Sequence, residues 1–146
     1  MPVLCLTYGD VIHLKNMYYE GSYLDTCGYP SEAHAGQTWD VSTTESKDRD
    51  KGTGSWVVES AEGKEAGEVV VRHGDKIHLK NLYYEGSYLD THGYSTHEGQ
   101  TWDVTTTESK DRDNGTGIWQ IESAAGDDEG SPVRRVPERS GGRFLK

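Results

Sequence analysis

The apolar residues of this chain recur at every second position. In VIHLKN, Ile12 and Leu14 point one way while His13 and Lys15 point the other; in TWDVSTT, Trp39, Val41 and Thr43 alternate with Asp40 and Ser42; in SWVVES, Trp56 and Val58 share a face. A period of two is the signature of a half-buried strand, whereas a helix needs 3.6. SYLDT around Leu24 makes a shorter strand. The breaks between strands, YYEG, DTCGYPSEAHAG, KDRDKGTG and AEGKEAG, carry the glycine, Asp and Pro chemistry of turns. No stretch has the pattern of an amphipathic helix, so the chain reads as all-β.

The strands come in two sets. GDVIHLKNMYYEGSYLDTCGY from Gly9 recurs as GDKIHLKNLYYEGSYLDTHGY from Gly74, an offset of 65 residues. GQTWDVSTTESKDRDKGTGSW from Gly36 recurs from Gly99 as GQTWDVTTTESKDRDNGTGIW, at an offset of 63. The lost residues fall where PSEAHA is replaced by STHE, and a polar surface loop tolerates such a change. GEVVVRHGD from Gly67 predicts another copy from Gly130, but GSPVRRVPE stands there and no third IHLKN follows. The chain divides into a first repeat over residues 1–72, a second over 73–133 and a basic flexible tail over 134–146. Each repeat supplies four strands, eight in all, and the two repeats are expected to form one domain.

Charge narrows the choice of partners. With 25 acidic against 15 basic side chains the net charge is −10, which disfavours nucleic acid, whose phosphates need clustered Lys and Arg. The tail runs the other way, with Arg134, Arg135, Arg139, Arg143 and Lys146 against Glu138. No run approaches the roughly 20 apolar residues of a membrane span, and MPVLCLTYGD lacks the basic and apolar regions of a classical signal peptide. Cytoplasmic residence or nonclassical export is the default expectation. Cys5 and Cys27 sit in unlike contexts, and His92 replaces Cys27 in the second repeat, so neither a disulfide framework nor a catalytic thiol is indicated.

The order GD turn, IHL, YLD, a Trp-bearing strand and then GTGxW resembles one leaf of a β-trefoil. The nearest likenesses are the PVxxGDxIxLxN and YLD pattern of MIR-type repeats and the Gln-x-Trp motif of ricin-B-type lectins, here Gln37-Thr38-Trp39 and Gln100-Thr101-Trp102. The resemblance covers residues 8 to 133 and implies a β-trefoil-like barrel built from tandem four-strand repeats. It departs from that fold in number, since a trefoil closes from three leaves and this chain carries two with a degenerate third. An unclosed barrel exposes sheet edges. The expectation is therefore a homo-oligomer sharing leaves, a stub that fills part of the gap, or a two-fold eight-stranded barrel or sandwich.

The repeated side chains suggest the chemistry. Tyr18, Tyr19, Tyr23 and Tyr29 recur as Tyr83, Tyr84, Tyr88 and Tyr94. A tyrosine ring offers a flat apolar face to a sugar ring, and Asn16, Asp25, Asn81 and Asp90 could hydrogen-bond hydroxyls. The candidate carbohydrate-binding residues are thus Asn16, Tyr19, Asp25 and Tyr29 in one repeat and Asn81, Tyr84, Asp90 and Tyr94 in the other. Tyr23 and Tyr88 read as core residues. His13 and His78, on the polar face of the first strand, lack further ligands for zinc. DRDKGTG has its glycine at the fifth position, where an EF-hand needs it at the sixth, so it reads as a tight turn. No GxSxG, HExxH, P-loop or CxxC motif occurs. The reading is a non-enzymatic, lectin-like module with two equivalent shallow sites for glycans or glycoproteins, and with no cofactor or metal. The alternative is a protein-interaction or inhibitor module using the variable loops, residues 30–35 and 95–98.

Overall fold

The computed structural model describes residues 4–18, 21–26, 37–49, 51–83, 86–94, 99, 102–112 and 114–135. Nine strands are present among them: β1 (Val11–Ile12), β2 (Lys15–Asn16), β3 (Ser22–Thr26), β4 (Gln37–Thr44), β5 (Trp56–Ser60), β6 (Lys76–Asn81), β7 (Ser87–Tyr94), β8 (Trp102–Thr107) and β9 (Trp119–Gln120). The eight expected strands are there, with the first of repeat one split into β1 and β2 where repeat two has the continuous β6. All pair antiparallel in one curled, barrel-like sheet of order β1-β5-β6-β7-β8-β4-β3-β2, with β9 added to β6. Among the described residues no helix is long and apolar enough to cross a membrane.

The repeats meet where β5 pairs with β6, in the register Trp56↔Asn81, Val58↔Leu79 and Ser60↔Ile77. This junction holds the centre of the core, with Trp56, Val58, Ile77 and Leu79 buried together with Leu6, Tyr8, Val71 and Leu89. The same residue types lie half-buried on the outer strands: Ile12 and Leu14 match Ile77 and Leu79, while Trp119 and Ile121 match Trp56 and Val58. Closely similar local sequence thus meets different neighbours, and burial follows the neighbours.

Both faces of β6 are covered, which revises the polar assignment of His78. Its ring is buried, with Nδ1 2.9 Å from the Gly117 carbonyl oxygen, and its edge meets Tyr88 at 6.1 Å between centroids. His13 makes the equivalent contact with the Gly54 carbonyl oxygen at 2.9 Å but stays exposed. The side of the strand opposite the core is thus packed by the glycine turn of the same repeat, which lies far along the chain.

Three segments close the end of the sheet. The Leu6 amide donates to the Val133 carbonyl at 2.7 Å, Val133 to Val71 at 2.9 Å, and Val71 back to Leu6 at 2.7 Å. A second circuit runs outside the first: Tyr8 donates to Val69, His73 to Ser131 and Arg135 to Leu4, at 3.0, 2.9 and 3.0 Å. The C-terminal stub therefore takes the third seat of a cyclic, three-membered arrangement, rather than leaving the repeats related by two-fold symmetry. The third seat is spaced one residue closer than the Gly67-to-Gly130 match implied, because Val133 is the partner of Val71.

Candidate functional site

The tyrosine-rich turns are built by their flanking residues. The Asn16 Oδ1 accepts from the Tyr18 amide at 2.9 Å, and Asn81 Oδ1 from Tyr83 at 3.0 Å, so each asparagine ties its own turn in Asx fashion. Gly21 and Gly86 close the turns by donating to Tyr18 and Tyr83 carbonyls at 3.0 and 3.1 Å. Both glycines have φ near +90° (89° and 87°), a conformation L side chains rarely adopt. Each packs beneath a lysine stem, and the Lys15 and Lys80 ammonium groups sit over the Tyr23 and Tyr88 rings at 5.7 and 5.8 Å.

The two turns differ in setting. Tyr18 is 80% exposed. Tyr83 is half-buried beneath Trp39 of the other repeat, edge to face at 5.4 Å. Asn16 is exposed, whereas Asn81 is wholly buried and its Nδ2 donates to the Thr53 carbonyl at 3.0 Å. Sequence identity therefore yields one open turn and one seated in the repeat junction.

Asp25 and Asp90 face inward with no accessible surface. Arg49 Nε donates to Asp25 Oδ2 at 3.1 Å and its Nη2 to the Thr26 carbonyl at 2.8 Å; Arg112 repeats the geometry on Asp90 and Thr91 at 3.2 and 2.8 Å. In this conformation a ligand from solvent cannot reach either carboxylate, and each aspartate instead orients an arginine. Those arginines escaped the sequence reading, although the repeated pairing of YLDT with KDRD was the available signal. Tyr19, Tyr29 and Tyr84, together with the variable loop, lie outside the described residues; the backbone of Tyr94 ends β7 opposite Trp102.

The KDRDKGTG segment is a backbone-binding turn. Asp48 Oδ1 accepts from the Gly52 and Gly54 amides, each at 2.9 Å, and Asp111 does the same for Gly115 and Gly117 at 2.9 and 3.0 Å. These carboxylates take up the orphan N–H groups of the turn and so fix its glycines. Among the described residues no group of three His, Cys, Asp or Glu side chains is placed to hold a metal.

Tyr88 shows how the core tyrosine is held. Burial pushes its hydroxyl up to about 12, assisted by the charge of Glu59 and by the 3.2 Å hydrogen bond it donates to Glu59 Oε1. It acts as a neutral donor and is unsuited to acid–base work near neutrality.

No protein-family model matches the chain, and no curated protein matches it. Among solved structures, it is similar to a Caenorhabditis elegans structural-genomics protein described as of unknown function, with 22% identity, a TM-score of 0.60, and coverage of 87% of this chain and 68% of that one. It is also similar to part of the structure of the S. cerevisiae protein O-mannosyltransferase Pmt1-Pmt2 complex bound to the sugar donor, with 22% identity and a TM-score of 0.61. That match covers 91% of this chain and 19% of the other. At this identity the likeness is one of fold, and the chain has an all-β, barrel-like fold shared with these structures.

Proposed function

We propose that this chain is a non-enzymatic glycan-binding module of the MIR-like β-trefoil type, with two leaves and a degenerate third. The carrying observation is the Tyr18 ring, held 80% exposed on a turn locked by Asn16 and Gly21. A pre-set aromatic face of this kind suits the C–H surface of a sugar. The fold shared with part of a sugar-donor-bound mannosyltransferase complex supports the reading, as does the cyclic pairing of Leu6, Val71 and Val133. Asn16 and Tyr18 form the leading site, and Asn81 with Tyr83 forms the second, partly covered one; Tyr19, Tyr29, Tyr84 and Tyr94 remain candidates from the sequence alone. Asp25 and Asp90 act through Arg49 and Arg112.

A glycan-array screen of the folded protein tests this. Saturable binding that is competed by free sugar supports it; removal of Tyr18 and Tyr19 together as alanines should cost most of that binding, and the Tyr83, Tyr84 pair less. A blank array from a folded sample would overturn it. The second reading, a protein-interaction module, is favoured by Met17 and Leu82, apolar side chains exposed in the same turns. It predicts partner binding that free sugar does not displace.

A further inference from the structure

Asn-Gly is the dipeptide in which a side-chain amide is attacked most readily by the next backbone nitrogen, because glycine has no side chain to hinder the approach. The chain holds it once, at Asn114-Gly115; Asn16 and Asn81 precede Met17 and Leu82 instead. Repeat one has Lys51 at the matching position. Lys51 and Asn114 share a φ of 46°, in the left-handed region where asparagine is enriched among non-glycine residues. Asparagine thus suits this turn better than lysine, and it brings a labile amide with it.

Asn114 is exposed, and a Cβ on Gly115 would meet nothing within 4 Å, so water reaches the pair. The attacking nitrogen is nevertheless engaged. The Gly115 amide donates to both oxygens of Asp111, at 2.9 Å to Oδ1 and 3.0 Å to Oδ2. Attack requires that this N–H give up its proton and that the nitrogen turn toward the Asn114 side chain. A carboxylate on the N–H opposes both, since it holds the peptide plane and its negative charge disfavours an amide anion.

We propose that Asn114 is a deamidation and isoaspartate site held latent by Asp111. When the turn opens, the Gly115 nitrogen bonds to Asn114 Cγ, the Cγ–Nδ2 bond breaks, and the side-chain nitrogen leaves as ammonia with the Gly115 proton. Water then opens the five-membered imide, at Cγ to give aspartate or at the Asn114 main-chain carbonyl carbon to give isoaspartate, with the chain routed through Cγ. Either product adds a negative charge. Isoaspartate also lengthens the backbone by one atom between Asp111 and the Gly115 and Gly117 amides it holds. The Thr116 carbonyl accepts from the Thr91 amide at 3.0 Å and the Gly117 carbonyl oxygen lies 2.9 Å from His78 Nδ1, so the change reaches β7 and β6. Repeat one, with Lys51, is spared.

The test incubates the whole chain, folded and in urea, at mildly alkaline pH, and reads isoaspartate by enzymatic carboxyl methylation with peptide mapping of Asn114. Conversion should be slower in the folded chain by about tenfold or more, because it waits on local opening. Asp111→Ala should bring the folded chain most of the way to the urea rate, and Asp111→Asn, which keeps an acceptor oxygen without the charge, part of the way. Circular dichroism checks that each variant is folded, and if Asp111→Ala is not, Asp111→Asn decides. Asp48→Ala, the same cut in repeat one, should leave the Asn114 rate unchanged, and Asn114→Lys should give no product. Equal rates in folded and urea-treated wild type, folded Asp111 variants as slow as wild type, or Asp48→Ala acting as strongly as Asp111→Ala would each overturn the proposal.

Discussion

The Tyr8 hydroxyl donates to Asp75 Oδ2 at 2.5 Å, joining the start of one repeat to the first turn of the next. Asp75 also accepts from the Arg72 amide at 3.0 Å, as Asp10 accepts from Thr7 at 2.9 Å. Arg135 of the third segment reaches Asp10 at 3.1 Å, so the same link recurs across the circuit with a different donor. Because the bond is to a charged acceptor, Tyr8→Phe should lower stability by about 1–3 kcal/mol. Urea denaturation would show the midpoint shift with the m-value unchanged.

Acid should loosen the circuit. Burial by itself would raise the Asp10 and Asp75 carboxyls, but opposing interactions hold both below the usual carboxylate range: the Thr7 amide and Arg135 at Asp10, the Tyr8 hydroxyl and Arg72 amide at Asp75. Depressed folded values mean that this stability is complete above about pH 4 and is lost as pH falls through the lower folded values. Thermal melts from pH 6 to pH 2 should show a steeper decline in the wild type than in Asp75→Asn.

Alkali acts in the opposite sense. Burial raises the Tyr8 and Tyr88 hydroxyls, with Asp75 and Glu59 adding to the effect. Raised folded values contribute stability present below about pH 10, the unfolded value, and lost as pH climbs toward 12. Tyrosinate absorbance should show a late-titrating fraction that shrinks in Tyr88→Phe.

Paired truncations should show how far burial, and not residue type, sets each copy's contribution. Val58 is wholly buried, whereas its counterpart Ile121 is half-buried. Leu79→Ala should cost about 2–4 kcal/mol as a core cavity, while Leu14→Ala, its counterpart in repeat one, should cost roughly half as much. Equal losses for the two leucines would overturn that reading.

Removing an arginine tests the buried carboxylates. Arg112→Ala would leave Asp90 buried without its Nε donor, and a loss of about 1–3 kcal/mol is expected after allowing for the partial exposure of the pair. Arg112→Lys should recover little, since one ammonium cannot serve both Asp90 and the Thr91 carbonyl in the same fork. Denaturant midpoints for the two variants would separate these outcomes.

The strands, the turns and the doubling were all legible in the residue order. Alternation at Trp56 and Val58 located β5, the glycines after Asp48 marked a turn, and the offsets of 65 and 63 set the repeat. Those features are local, because a pleat and a positive φ are properties of neighbouring residues. What each copy meets came from the packing: Val133 completes a circuit with Leu6 and Val71, His78 is covered by Gly117, and Asp90 holds Arg112 instead of facing solvent. It also separated Asn16 from Asn81, which are alike in sequence but differ in burial. Burial is set by which strand lies alongside, and two identical segments in a partly closed ring cannot have the same neighbours.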